Sequence, residues 1–393
     1  MKFLLILSYI VLNGMMAACS TDKVPVRSGA DRMDQYLPLI EGKKIALVAN
    51  HTSVVGESHL VDTLLASGIE KEQILKVFAP EHGFRGDQAA GVQIEDGTDP
   101  LTGIPVASLY GSHKKPVPAE LEGIELMLFD LQDVGARFYT YISTLHYVME
   151  ACAENGIPLL LLDRPNPNGG YVDGPLLDTA FRSFVGMHPI PVVYGLTIGE
   201  LAGMINGEGW LNQGIRCDMT LIPCEGYTHG RSYSMPVSPS PNLASDHAVL
   251  MYPSTCFFEG TVLSEGRGTS MPFETYGHPD LPGEFSFIPE SIPGVARNPK
   301  FEGQICYGAD LRDFNPEEGW TRLYLHFLLE AYEDFPRKEE FFTSYFNTLA
   351  GTDQLRKMVE EGWDEEQIRA SWQEDLEQYR MKRSKYLIYE ESK

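Results

Sequence analysis

Four short apolar runs in this chain each end in residues able to do acid–base or recognition chemistry. They deliver Asn50-His51-Thr52-Ser53, Glu81-His82-Gly83-Phe84-Arg85, Asp130-Leu131-Gln132-Asp133 and Asp163-Arg164-Pro165-Asn166. Carboxyls, amides, imidazoles and guanidiniums in this mixture suit general acid–base cleavage of a polar substrate. Glu81 is the leading proton donor, because Pro80 before it and His82-Gly83 after it constrain the backbone on which a carboxyl can be held half-buried. Its other reading is a loop cap or an ion pair with Arg85. Asp130 and Asp163 are the further catalytic acids, or else caps of the turns that follow them. His51 and His82 lack a His-Glu-x-x-His or comparable ligand spacing, so no metal is expected.

Two later stretches add binding groups. Asp133-Val-Gly-Ala-Arg137-Phe-Tyr139-Thr140-Tyr141 sets a guanidinium beside two phenols just before a helical pattern. Such a set can stack on and hydrogen-bond a sugar, or form a Tyr-lined seam with Arg137 paired to Asp133. Glu259 to Thr269 places Glu259, Glu265 and Arg267 among glycines that permit close backbone approach. It matches neither a P-loop nor a dinucleotide G-x-G-x-x-G, and no G-x-S-x-G elbow occurs, so no cofactor is expected and serine-hydrolase chemistry is disfavoured.

The elements that must position these groups are legible from hydrophobic patterning. Lys44–Asn50, Ile74–Pro80, Leu126–Asp130 and Pro158–Asp163 are short and nearly continuously apolar, as strands buried on both faces must be. Helical patterns lie between them: Leu60–Ser67 stopping at Gly68, and Thr144–Asn155 stopping at Gly156. Thr197-Ile-Gly-Glu200 opens a further helix as a capping box, and Met219–Pro223 reads as another strand. This alternation predicts an α/β fold, a Rossmann-like, mostly parallel sheet with helices on both faces, over residues 31–235. Ligands of such sheets bind at the carboxyl ends of the strands, where all four polar clusters fall. From residue 236 the alternation fades, and a smaller α+β C-terminal domain is expected over 236–393. In it Trp320–Tyr332, Glu339–Leu349 and Glu365–Tyr379 read as helices and Tyr386–Tyr389 as a closing strand.

The chain has 393 residues, 43% of them hydrophobic, and 55 acidic against 31 basic side chains for a net charge of −24. Such a field repels phosphate backbones, so no nucleic-acid partner is expected. The N-terminal Lys2, the apolar run Phe3–Val11 and Ala17-Ala18-Cys19 describe a secretory signal over residues 1–18, too short for a spanning helix of about 20 apolar residues. Ala-Ala-Cys is also how a bacterial lipoprotein signal ends. The expectation is therefore a periplasmic protein whose membrane contact is a lipid on Cys19, with residues 19–30 as a tether. Five cysteines remain without any C-x-x-C; buried thiols are expected, with a Cys217–Cys224 bridge as the alternative.

Val48-Ala-Asn-His-Thr-Ser53, Pro80-Glu-His-Gly-Phe-Arg-Gly86, Phe129-Asp-Leu-Gln-Asp-Val-Gly-Ala-Arg-Phe-Tyr-Thr-Tyr141, Leu162-Asp-Arg-Pro-Asn-Pro-Asn-Gly-Gly170, Tyr194–Glu200, Pro239-Ser-Pro-Asn242 and Leu263-Ser-Glu-Gly-Arg-Gly-Thr269 resemble the signature blocks of the NamZ-type exo-β-N-acetylmuramidases. The resemblance implies a glycoside hydrolase that removes N-acetylmuramic acid (MurNAc) from the non-reducing end of peptidoglycan fragments such as MurNAc-GlcNAc. It places the site between a Rossmann-like domain and a smaller C-terminal one, with Glu81 as the catalytic acid. The acetamido group of the substrate could assist, oriented by Asp130 or Asp163. Arg267, Arg85 and Arg137 are the expected readers of the lactyl carboxylate. Asn50, His51, Thr52, His82, Tyr139, Arg164, Asn166, Asn242 and Glu265 complete the expected saccharide contacts. The competing readings are a muropeptide-binding lipoprotein without turnover and a hydrolase of an ester or amide bond.

Overall fold

The computed structural model describes residues 25–85 and 96–391. The expected signal, Cys19 and Gly86 lie outside these residues. Seven strands form the main sheet: β1 (Ile45–Ala49), β2 (Ile74–Ala79), β3 (Gly97–Thr98), β4 (Pro105–Ser108), β5 (Leu126–Asp130), β6 (Leu159–Leu162) and β7 (Met219–Ile222). Their order is β3-β4-β2-β1-β5-β6-β7. All neighbours pair in parallel except β3 with β4.

Burial explains the strand composition. Every residue of β1 and of β5 is buried, because helices cover both faces. Ile45, Leu47 and Ala49 pack with α1 (Met33–Ile40) and α2 (Leu60–Ala66) on one face. Ala46 and Val48 point the other way, into the core shared with α3 (Tyr141–Asn155) and α4 (Ile198–Gly207). Helix α3 stops at Gly156, whose φ of 66° places it in the left-handed region. Helix α4 starts on the expected capping box: Thr197 Oγ1 accepts from the Glu200 N–H, and Glu200 Oε2 accepts from the Thr197 N–H.

The chain runs outward from β1 through β2 and β4, then crosses back to β5 on the other side of β1. The loops after these strands therefore diverge, which opens a crevice at their carboxyl ends.

The C-terminal part has helix α5 (Asp246–Thr255), a three-stranded antiparallel sheet and five helices. The strands are β8 (Thr275–His278), β9 (Phe285–Phe287) and β10 (Cys306–Asp310), in the order β8-β10-β9. The helices are α6 (His326–Asp334), α7 (Tyr345–Ala350), α8 (Gln354–Glu360), α9 (Glu365–Ser371) and α10 (Gln373–Arg383). Its apolar side chains, such as Phe257, Phe346 and Leu376, continue the same core as Leu145 and Leu201 of the first part.

Several local expectations are corrected. Helix α6 starts at His326 rather than Trp320, because the Leu323 and Tyr324 N–H groups donate instead to Asp173 Oδ2 and Ser254 Oγ. Glu339–Leu349 is helical by α rules only from Tyr345. Glu365–Tyr379 breaks at Trp372, whose indole N–H reaches Asp173 at 3.1 Å. Tyr386–Tyr389 is not a strand: the Ile388 and Tyr389 N–H groups donate to Glu200 Oε1. The expected tether ends earlier than Ala30, since Arg27 exchanges backbone hydrogen bonds with Glu225, and Ser28 to Ala30 are buried. Cys152, Cys217, Cys224, Cys256 and Cys306 are all buried free thiols, so there is no Cys217–Cys224 bridge.

Candidate active site

Glu81 leaves β2 through Pro80, and His82 and Gly83 then take φ values of 75° and 76°. This left-handed pair, closed by a 3.1 Å bond from the Gly83 N–H to the Pro80 carbonyl, turns the chain away and presents the Glu81 side chain at the sheet edge. The Tyr110 hydroxyl donates to Oε1 at 2.8 Å and the Thr140 hydroxyl to Oε2 at 3.1 Å. Tyr110 follows β4 and Thr140 caps α3. Three strand-end loops thus converge on one carboxyl. Burial, and next the Glu81 charge, push the Tyr110 phenol well above its ordinary range, which keeps it a donor.

Glu81, Tyr110 and Thr140 form one wall of a cavity of about 430 Å³. The facing wall comes from the C-terminal part: Glu259, Glu265, Arg267, Arg297, Lys300 and Tyr345. Arg267 bridges two carboxylates there, Nη2 to Glu259 at 2.6 Å and Nε to Glu265 at 3.1 Å. Burial pushes the Glu259 carboxyl above its usual range. Gly266 is required by this turn: its φ is 82°, and a Cβ would come within 2.6 Å of the Met271 carbonyl oxygen. Tyr345 senses both walls, since the charges of Glu259 and Glu81 add to burial in raising its phenol.

Of the residues expected from sequence, Glu81, Glu265 and Arg267 line this cavity. Asn50, Thr52 and Tyr139 stand behind it as support. Asn50 Nδ2 donates to the Tyr141 hydroxyl at 2.6 Å, which donates in turn to the Glu81 carbonyl at 3.5 Å. Asn50 Oδ1 accepts from both the N–H and the hydroxyl of Thr52. The Tyr139 hydroxyl donates to the Pro239 carbonyl at 2.6 Å. His51 bonds through Nε2 to the Ser238 carbonyl, and burial lowers its pKa to about 4, so it is neutral. His82 is buried and sets the turn after Glu81. Among the described residues no group of three or more His, Cys, Asp and Glu side chains is arranged to hold a metal ion.

The other expectations do not fit the geometry. Asp130 is fully buried and paired with Arg164 through both oxygens, at 2.6 and 2.9 Å. Asp163 is fully buried and accepts from the hydroxyls of Thr197 and Tyr389 and from the Arg164 and Gly199 N–H groups. Neither acid lines the cavity, and both fasten loops instead. Arg85 is held by Asp62 and Asp99, not by Glu81. Arg137 is buried and donates to the carbonyls of Pro175, Ile190, Leu349 and Ala350 rather than to Asp133 or a sugar. Asn166 donates to the Leu196 carbonyl and Asn242 to the Val295 carbonyl, so both are spent on loop structure.

Glu259 and Thr140, which lie in the two stretches expected to add binding groups, also line the cavity, while sequence reasoning missed Tyr110, Arg297 and Tyr345. Tyr110 was within reach of the strand-end rule, had Pro105–Ser108 been read as the strand it is. The rest arrive from loops and helices whose approach only tertiary packing sets.

A carboxyl at the carboxyl edge of a parallel sheet, sharing a cavity with paired carboxylates, offers the kind of groups a glycoside hydrolase uses. Two family models, described as the N-terminal and C-terminal parts of exo-β-N-acetylmuramidase NamZ, match residues 45–247 and 250–389. The chain is 38% identical over 388 residues to the peptidoglycan β-N-acetylmuramidase NamZ of Bacillus subtilis (strain 168), covering 93% of this chain and 92% of that one. It is also similar to two crystal structures of DUF1343 family proteins from Bacteroides fragilis NCTC 9343. The first has a TM-score of 0.86 at 43% identity, covering 94% of this chain and 100% of the other. The second has a TM-score of 0.78 at 27% identity, covering 93% and 99%. The chain belongs to the NamZ family of exo-β-N-acetylmuramidases.

Proposed function

We propose that this protein releases MurNAc from the non-reducing end of peptidoglycan fragments such as MurNAc-GlcNAc, with Glu81 as the general acid. One observation carries the assignment of roles: Glu81 is held by two hydroxyls at the edge of a cavity whose opposite wall is the Glu259–Arg267–Glu265 cluster. The named activity of the Bacillus subtilis relative supports the choice of substrate.

In this reading Glu81 gives its proton to the glycosidic oxygen as the C1–O bond breaks, and water completes the hydrolysis, returning a proton to Glu81. A hydroxyl both donates and accepts, so Tyr110 and Thr140 can serve the carboxyl in either protonation state. The sugar's own 2-acetamido oxygen attacks C1 and shields the oxocarbenium-like centre until water opens the ring. Glu259 and Glu265 supply negative charge on the wall that this centre faces. The description of both matching family models as exo-β-N-acetylmuramidase supports exo action. The same reading puts the enzyme at the cell envelope, carried by a lipid on Cys19.

The test is product analysis on MurNAc-GlcNAc and on longer glycans. Free MurNAc is expected from the disaccharide, and one sugar at a time from the non-reducing end of the chains. Binding of MurNAc-GlcNAc without any release of reducing ends would instead favour a non-catalytic binding protein.

A further inference from the structure

Among the described residues three cationic side chains line the cavity, and two of them are occupied. Arg267 is shared between Glu259 and Glu265. Lys300 donates through Nζ to the carbonyls of Phe258, Thr261 and Leu263, at 3.0, 3.1 and 2.8 Å, and lies 3.2 Å from Glu265. Among the described residues Arg297 makes no ion pair and no side-chain hydrogen bond, and it is exposed to the cavity's solvent.

The backbone that carries Arg297 is fixed on both sides. Ile292 and Ala296 exchange backbone hydrogen bonds at 2.8 and 2.9 Å. Asn242 reaches in from the chain between the two parts to donate to the Val295 carbonyl at 3.0 Å. Asn298 turns the chain with a φ of 51°, and Lys300 is held by its three carbonyls. The backbone under Arg297 is thus set before a ligand arrives, and ordering its free guanidinium costs about 0.5 to 1.5 kcal/mol.

Charge decides which ligand that is. When Glu81 carries the proton a general acid requires, the cavity lining among the described residues holds two carboxylates against three cations, and the surplus positive charge is that of Arg297. In a chain of net charge −24 this is a local reversal of sign that suits an anionic substituent. The ether-linked lactyl group is the only acidic substituent that distinguishes MurNAc from GlcNAc, and a planar guanidinium reads a carboxylate with two parallel hydrogen bonds. We infer that Arg297 binds the lactyl carboxylate and so selects the muramyl sugar, a reading that rests on the function proposed above.

The experiment compares MurNAc-GlcNAc with the same disaccharide whose lactyl carboxyl is converted to an amide, on wild type, Arg297→Gln and Arg297→Lys. Wild type is expected to lose about 10- to 100-fold in kcat/KM from acid to amide, mostly through KM. Arg297→Gln should treat the two within about twofold of each other, and Arg297→Lys should recover part of the preference. An Arg297→Gln enzyme that keeps the wild-type preference for the acid overturns the inference. Calorimetric titration of free MurNAc and its lactyl amide reads the same difference without turnover, so a failure of Glu81 as the acid leaves this test intact. Equal binding of acid and amide by the wild type, or no binding of either, likewise overturns it.

Discussion

The Tyr110 phenol donates to Oε1 of Glu81 at 2.8 Å, joining the loop after β4 to the loop after β2 over the mouth of the cavity. In the proposed mechanism the bond fixes the direction in which Glu81 faces the glycosidic oxygen. Tyr110→Phe removes one neutral hydrogen bond, typically about 0.5 to 1.5 kcal/mol, so kcat should fall about 2- to 10-fold with little change in KM. Steady-state kinetics on MurNAc-GlcNAc check it, and an unchanged kcat would detach Tyr110 from the proposed role of Glu81.

Arg137 ties the two parts of the molecule together. Its guanidinium joins the Pro175 and Ile190 carbonyls of the first part to the Leu349 and Ala350 carbonyls at the end of α7, where a cation also complements the helix dipole. Arg137→Met strands four buried acceptors and should cost about 3 kcal/mol or more. Chemical denaturation measures this, and a loss below about 1 kcal/mol would show that the carbonyls find other partners.

Histidine 59 gives a pH signature. Its Nε2 donates to the Asn50 carbonyl at 2.9 Å, and its unprotonated Nδ1 accepts from the Val61 N–H at 3.2 Å, capping α2. Burial lowers its pKa to about 4, from 6.5 in the unfolded chain. The unfolded state therefore binds the proton first as pH falls, and the stability this residue provides is full above about pH 6.5 and lost on descent toward pH 4. His59→Ala should cost about 1 to 2 kcal/mol at pH 7.5, and the gap to wild type should narrow by pH 4.5. Denaturation midpoints at the two pH values decide it, and a gap independent of pH would contradict the neutral cap.

The strands that matter most were legible because they are buried on both faces. Ile45–Ala49, Leu126–Asp130 and Leu159–Leu162 are buried throughout and Ile74–Ala79 for the most part, and their nearly continuous apolar runs are the signal. Pro105–Ser108 lacks it, being short, opened by proline and partly exposed, and with it went Tyr110. Glu81 could be found because a strand end fixes where a side chain emerges. Asp130 and Asp163 satisfied the same rule, yet sequence cannot tell an acid facing a cavity from one consumed by Arg164 or by Thr197 and Tyr389. Tyr386–Tyr389 has strand-like residues, but its backbone partner is the Glu200 side chain, a contact made across 188 positions. On the cavity's far wall Glu259, Glu265 and Arg267 stood out by their glycine-rich setting, whereas Arg297 and Tyr345 meet Glu81 only through the packing of the two parts.

Release of MurNAc from MurNAc-GlcNAc by Glu81→Gln bears most directly on the central claim. The amide keeps the shape and the hydroxyl contacts while removing the transferable proton. Turnover should fall at least about 100-fold, with substrate binding retained in a calorimetric titration. Wild-type turnover by this variant would remove Glu81 from the bond-breaking step.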